Sequence, residues 1–253
     1  MGWFHQYLKV LTLCFHVYLT WLALPHHLAV AEKKECRDHY PRVLDSDSEK
    51  LKTAGVDLLF SPTVSELYPN GQQSVTRVVV PVIGDTLCGA SRPGHFSGVA
   101  TVVSKLLNIV QSDSTLFGEK DFQQLLIIKK LANDLCFSGD IIGVPTCREV
   151  DGLAMSSRNR YLSDTQRELA PALIRELRNV KKMIELNPSA DFSQLTQQAA
   201  NTLNNAGFIT DYFEICRATD LAKPNRDDQD LVVIAAAWLG KARLIDNVRV
   251  RVE

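Results

Sequence analysis

The sequence predicts an α/β chain: a parallel sheet covered by helices, followed by a smaller α+β unit. Three observations carry this. Short apolar runs at 115–117 and 141–144 alternate with stretches of helical spacing, a rhythm that implies parallel pairing with helices over the sheet. Each run stops at a residue that breaks regular structure, Gly118 or Pro145. After about Val150 the order changes, with two long helical patterns first and the strand-like runs last.

Taken in order, 48–55 is the end of a helix closed by Gly55. Residues 56–60 are a strand stopped by Ser61-Pro62, and the valine-rich stretch 74–81 is another. Tyr68-Pro69-Asn70-Gly71 is a turn, and 91–95 is a loop by composition. Val99, Val102, Val103, Leu106, Leu107 and Val110 recur on one side of a helix over 98–110. A strand ends at Gly118, a helix follows over 121–137, and 141–144 is a short apolar strand. Ser163 with Gln166 forms a capping box at the start of a long helix. A further helix over 191–206 stops at Gly207, and strands follow near 212–216, 231–237 and 242–246. The divisions expected are an N-terminal segment over 1–36, a parallel α/β domain over 37–150, which the resemblance given below makes an incomplete nucleotide-binding domain, and an α+β domain over 151–253.

Composition narrows the function. With 253 residues, 45% apolar and 23% charged, the chain can bury a sizeable core. A net charge of -1 offers no basic field for nucleic acid. The six cysteines form no C-x-x-C pair, so neither a zinc knuckle nor a redox pair is indicated, and reduced thiols in the cytosol are expected. Residues 10–24 are largely apolar, with Lys9 before them and Ala29-Val30-Ala31 after. That is the outline of a secretory signal. A membrane span needs about 20 apolar residues, so no span is expected.

The most informative stretch is Gly118-Glu119-Lys120-Asp121 with the helical pattern that begins behind it. A cation beside a fresh helix N-terminus suits a polyphosphate. Lys120 can reach a phosphate oxygen and Asp121 a ribose diol, but Asp121 with Gln124 also fits a plain helix cap. Met155-Ser156-Ser157-Arg158-Asn159 offers two hydroxyls and a guanidinium, good chemistry for clamping phosphate, or else a polar loop before the Ser163 cap. Arg92-Pro93-Gly94-His95 is either an anion holder or a surface turn. Neither G-x-G-x-x-G nor G-x-x-x-x-G-K-[ST] occurs, so neither a dinucleotide fingerprint nor a P-loop is supported.

Together these segments resemble the pantoate–β-alanine ligase (pantothenate synthetase) family. The matching text is Gly89 to Phe96, Phe117 to Gln124, Gly143-Val144-Pro145, Asp151 to Asn159, Ala235 to Gly240 and Ala242 to Asn247. The resemblance implies a Rossmann-like, nucleotidylyltransferase-type domain, a smaller C-terminal domain, a cytoplasmic homodimer, and ATP with Mg²⁺. It implies an AMP-forming ligase that joins pantoate to β-alanine through a pantoyl adenylate. Carried over by position, Gly118, Glu119, Lys120 and Asp121 contact ATP, Val144 lies against the nucleotide, and Met155, Ser156, Ser157 and Arg158 close over the phosphates. Gln124 binds pantoate.

The N-terminus departs from the family. The signature Met-Gly-x-Leu-His-x-Gly-His is met only at Met1, Gly2 and His5, with Phe4 for its leucine, Tyr7 for its glycine and Leu8 for the histidine that donates a proton. Met1, Gly2 and His5 remain candidate ATP contacts, no catalytic histidine is assigned, and the sheet is expected to lack its usual first strand. Loss of that strand would expose its neighbours and lower stability. Residues 7–36 are thus a shortened or frame-shifted reading, a signal or anchor fused to a remnant, or a rebuilt N-terminus. Two functions stay open: the ligase, or a dimerising remnant that retains nucleotide binding. A secreted product is a third course, if 1–31 act as a signal peptide.

Overall fold

A computed structural model describes residues 10–13, 44–53, 55–225 and 227–252. The chain divides into two compact units. The first ends at Val144, and the second holds 145–253 together with Lys120–Phe122.

In the first unit, β1 (Val10–Leu13), β2 (Ser114–Gly118) and β3 (Asp140–Val144) form a parallel sheet with β2 in the centre. Around them stand α1 (Leu44–Thr53), α2 (Val64–Leu67), α3 (Cys88–Ser91), α4 (His95–Val110) and α5 (Phe122–Asp134). β2 alternates, burying Thr115 and Phe117. Val99, Val102, Val103 and Leu106 of α4 are buried, as are Ile127, Ile128 and Leu131 of α5, each on a helical stripe facing the core. The parallel α/β class predicted from the strand–helix–strand rhythm is what forms.

Three expectations fail here. The sheet does have an N-terminal strand: β1 lies parallel to β2, with Leu13 opposite Phe117. Val10-Leu11-Thr12-Leu13 is apolar and partly β-branched, and a signal-like apolar run and a buried strand share that composition. Residues 56–60 and 74–81 form no ladder among the described residues. Leu58 and Val79 point to solvent, and the Val78 amide donates instead to Thr101 Oγ1 on α4 at 3.0 Å. β-branched composition favours extended backbone, but a strand also needs a partner, which composition does not supply. Readings that rest on Met1, Gly2, His5, Leu8 and the secretory outline lie outside the described residues. Among the described residues, no helix is long and apolar enough to cross a membrane.

The second unit contains α6 (Asp164–Leu169), α7 (Ala172–Leu186), α8 (Phe192–Asn205) and an antiparallel sheet of β4 (Ile209–Arg217), β5 (Asp230–Leu239) and β6 (Ala242–Arg251). Leu173, Leu177, Ile184 and Leu203 pack against Val233, Ala235, Leu244 and Val250 in one core. The predicted capping box is present: the Ser163 amide donates to Gln166 Oε1 at 3.0 Å, and the Gln166 amide to Ser163 Oγ at 3.3 Å. The helix it opens is not the single long one expected. It ends at Leu169, and α7 restarts after Pro171. Proline has no N–H for the helical ladder, and its ring clashes with the preceding turn. The third strand is also longer than the predicted 242–246. Gly240 turns β5 into β6 with φ at +59°, and a Cβ there would meet Gln166 at 2.3 Å.

Of the described cysteines, Cys88 and Cys216 are buried and Cys136 and Cys147 are exposed. The Cys216 thiol is pushed up to about 12, first by burial and then by the Glu214 and Asp220 carboxylates. The thiolate is the nucleophile. Iodoacetamide at mildly alkaline pH is therefore expected to alkylate Cys136 and Cys147 and to spare Cys88 and Cys216, as peptide mass spectrometry would show. Rapid labelling of Cys216 would contradict the packing of β4.

Candidate functional site

The site begins where β2 ends. Gly118 and Val144 are register partners at the carboxyl ends of neighbouring parallel strands. That end of such a sheet is where ligands bind in open α/β folds. From Gly118 the chain passes through one 3₁₀ turn, Glu119–Asp121, straight into α5. The N-terminus of α5 thus follows the strand tip directly, and the positive end of its dipole favours an anion.

The two glycines here differ. Gly118 is not in the left-handed region, and a Cβ added there would meet nothing within 4 Å. A left-handed turn is therefore not the reason for a glycine here. What it leaves is open space beside the backbone, such as a close-approaching ligand uses. Gly143 is needed by its neighbours: a Cβ would come to 2.9 Å from Leu125 Cδ2 and 3.2 Å from Glu119 Cγ.

Asp121 lies inside the 3₁₀ turn. An N-cap residue has extended backbone, so the simple D-x-x-Q cap is not how this helix starts. Gln123 and Gln124 are both buried. Gln123 serves the fold. Its Nε2 donates to the carbonyls of Ile83 and Thr86 at 2.8 Å each, and its Oε1 accepts from the Cys88 amide at 3.1 Å. Gln124, the sequence candidate for pantoate, sits in the first turn of α5. Arg92 Nη1 lies 3.1 Å from His95 Nε2, and His95 is buried at the start of α4, so this segment is built into the fold and is more than a surface turn.

In the second unit, Lys120 and Ser156 line the same small cavity, with Asn159, Asp246, Leu173 and Leu244. Its volume is about 10 Å³, room for about one water molecule. Lys120 is 7% exposed. Its carbonyl accepts from Asn247 Nδ2 at 3.1 Å. Ser156 caps the 3₁₀ turn Ser157–Tyr161, its Oγ accepting from the Arg158 amide at 3.1 Å. Met155, Ser157 and Arg158 are half-buried beside it. The polar-loop and clamp readings of this segment are therefore compatible, because the cap holds Arg158 in a fixed turn.

The loop that carries Met155 to Arg158 is closed on itself. The Met155 amide donates to the Cys147 carbonyl at 3.0 Å, and the Glu149 amide to the Leu153 carbonyl at 2.8 Å. Asp151 pairs with Arg167, whose hydrogen bond holds the Asp151 carboxyl below its usual range. Asn159 Nδ2 donates to the Ala154 carbonyl at 3.1 Å, while Asn159 Oδ1 is buried and finds no donor among the described residues. A buried acceptor without a protein donor is suited to a water molecule or another group that the protein itself does not supply.

Sequence reasoning gave no role to Arg148, Asn159, Asp246 or Asn247. One signal was available: Asp246 and Asn247 interrupt the apolar run of β6, and both are buried. Among the described residues no group of three or more His, Cys, Asp or Glu side chains could hold a metal ion.

Comparison with known proteins gives one consistent result. The family model described as Pantoate-beta-alanine ligase matches residues 30–249. The chain is 54% identical over 216 residues to the pantothenate synthetase of Pseudomonas entomophila (strain L48), covering 85% of this chain and 75% of that protein. It is 50% identical over 236 residues to the pantothenate synthetase of Shewanella sp. (strain ANA-3), covering 93% and 82%. Its fold matches the crystal structure of pantothenate synthetase from Thermus thermophilus, with a TM-score of 0.82, 36% identity and coverage of 95% and 92%. It also matches the pantoate-β-alanine ligase of Francisella tularensis, complexed with βγ-ATP and β-alanine, with a TM-score of 0.70, 32% identity and coverage of 95% and 79%.

Proposed function

Because the chain belongs to the pantoate–β-alanine ligase family, we propose that it condenses (R)-pantoate with β-alanine at the expense of ATP, through a pantoyl adenylate. A carboxylate is a poor electrophile. Its oxygen attacks the α-phosphorus of ATP, and pyrophosphate leaves with the electrons of the broken P–O bond. The mixed anhydride then has a good leaving group. The β-alanine amine attacks its acyl carbon, AMP departs, and the amine loses a proton as the amide forms. A site that excludes water protects the anhydride.

The observation that carries this reading is the match of residues 30–249 to the family model; Lys120 and Ser156, from segments far apart in sequence, line one water-sized cavity, which agrees with it. In the proposal, Lys120 meets phosphate oxygens, Asp121 the ribose, and Gly118 and Glu119 the nucleotide beside the strand tip. Val144, the register partner of Gly118, lies against the nucleotide. Met155, Ser156, Ser157 and Arg158 hold the departing pyrophosphate, where charge builds up in the transition state. Gln124 binds pantoate, and Met1, Gly2 and His5 complete the ATP contacts. Mg²⁺ travels with the nucleotide: this ion is commonly held by phosphate oxygens, water and one or two carboxylates, so it needs no cage of protein ligands. The working form in this reading is a cytoplasmic homodimer.

Leu8, at the place of the family's proton-donating histidine, favours one competitor: a remnant that binds nucleotide without turnover. One assay separates the two. Pyrophosphate release from ATP is measured with and without pantoate, and pantothenate is sought by mass spectrometry once β-alanine is added. The ligase reading expects pantoate-dependent release and product. If ATP raises the melting temperature while no pyrophosphate forms, the chain is the remnant.

A further inference from the structure

Asp246 and Asn247 are consecutive on β6, and both side chains are buried. Successive strand residues point to opposite faces, so each looks onto a different neighbour. Asp246 accepts a forked pair of hydrogen bonds from Arg148, at 2.6 Å from Nη1 and 3.0 Å from Nη2. The same Nη1 donates to the Gly152 carbonyl at 3.0 Å, at the turn of the loop leading to Met155. Asn247 Nδ2 donates to the Lys120 carbonyl. The Asn247 amide donates to Asp246 Oδ1 at 2.8 Å, which ties the two side-chain positions together.

We propose that Asp246 and Asn247 are positioning residues that hold the Lys120 turn and the Ser156–Arg158 loop at a fixed separation. The inference rests on the ligase reading and deepens it. One rigid strand fixes both anchors, Lys120 through its main chain and the clamp loop through Arg148. Asp246 and Asn247 act on the nucleotide only through the groups they hold. Burial of two adjacent polar residues on a strand is costly unless each is satisfied. Here each is satisfied by a bond to a phosphate-site segment.

Two variants of the full chain test this. Asn247→Ala removes the bond to the Lys120 carbonyl. Arg148→Lys keeps a charge beside Asp246 but loses the guanidinium fork that also reaches Gly152. Arg251→Ala, at an exposed position, is the control. Displacement of reacting groups by about an ångström is costly, so each test variant is expected to lower kcat for pyrophosphate release by about tenfold or more. KM for β-alanine, which enters after adenylation, is expected to stay within about twofold. Variants that are folded by circular dichroism and match the unmodified kcat overturn the inference. If Asn247→Ala does not fold, Asn247→Leu, of similar size but without the amide donor, replaces it. If the unmodified chain releases no pyrophosphate, the ligase reading fails on its own. The brace is then judged by ATP titration calorimetry: binding about tenfold weaker in both variants upholds it, and equal binding overturns it. If the unmodified chain binds no ATP, both readings fall.

Discussion

Lys120→Met should lower pantoate-dependent pyrophosphate release by about two to three orders of magnitude while leaving the fold intact. The magnitude follows from where the ammonium sits. Lys120 is buried, and a charge in a water-poor site acts on a neighbouring phosphate far more strongly than one in bulk water. Removal of a single preorganised donor to developing charge commonly costs this much. Methionine keeps most of the stem length, so the apolar contacts of the side chain survive. The bond from Asn247 goes to the Lys120 carbonyl, so it survives as well. Circular dichroism should therefore still show a folded chain while the rate collapses. Lys120→Arg should restore only a part, because a planar fork does not fit where a compact ammonium stood. Pyrophosphate release within about twofold of the unmodified chain would remove Lys120 from the chemistry altogether.

How much of this was legible in the sequence depends on how local the cause is. The strand that ends at Gly118, the helix after it, the Ser163–Gln166 box and the stop at Gly207 all follow from residues within one or two turns of each other. They form where the pattern puts them. The two strands expected at 56–60 and 74–81 needed distant partners, and among the described residues no ladder forms. Pro171 shows local chemistry overruling a longer periodicity: the apolar spacing continues across it, and the hydrogen-bond ladder does not. β1 was hidden for the opposite reason, because an apolar run reads alike as a leader segment or as a strand. At the candidate site, Lys120 and Ser156 were marked by their own motifs. Asp246 and Asn247 act across 98 and 127 positions of sequence, so no local pattern could have revealed their partners. Asn159 stood beside a recognised motif, but only the burial of its Oδ1 gives it interest.

The same long-range contacts set the second large effect. Arg148→Met should destabilise the protein by about 3–5 kcal/mol, because it strands the Asp246 carboxylate, whose side chain is 3% exposed. Asp246→Leu should cost less. It leaves Arg148, but that side chain is 21% exposed and can turn part of its guanidinium to water. The double variant Arg148→Met/Asp246→Leu should recover most of the loss, since an apolar pair carries no desolvation penalty. What the double cannot recover is the bond from Arg148 to the Gly152 carbonyl and the bond from the Asn247 amide to Asp246 Oδ1, each worth about 1 kcal/mol. Urea unfolding followed by circular dichroism would measure all three. A double variant as unstable as the sum of the singles would mean that the two side chains stabilise the fold independently. The pair would then not be the link between β6 and the loop that leads to Met155. The double variant also separates stability from function. If the fold recovers and pyrophosphate release does not, the ion pair is retained for the alignment of the phosphate loops, because an apolar pair would serve the core equally well.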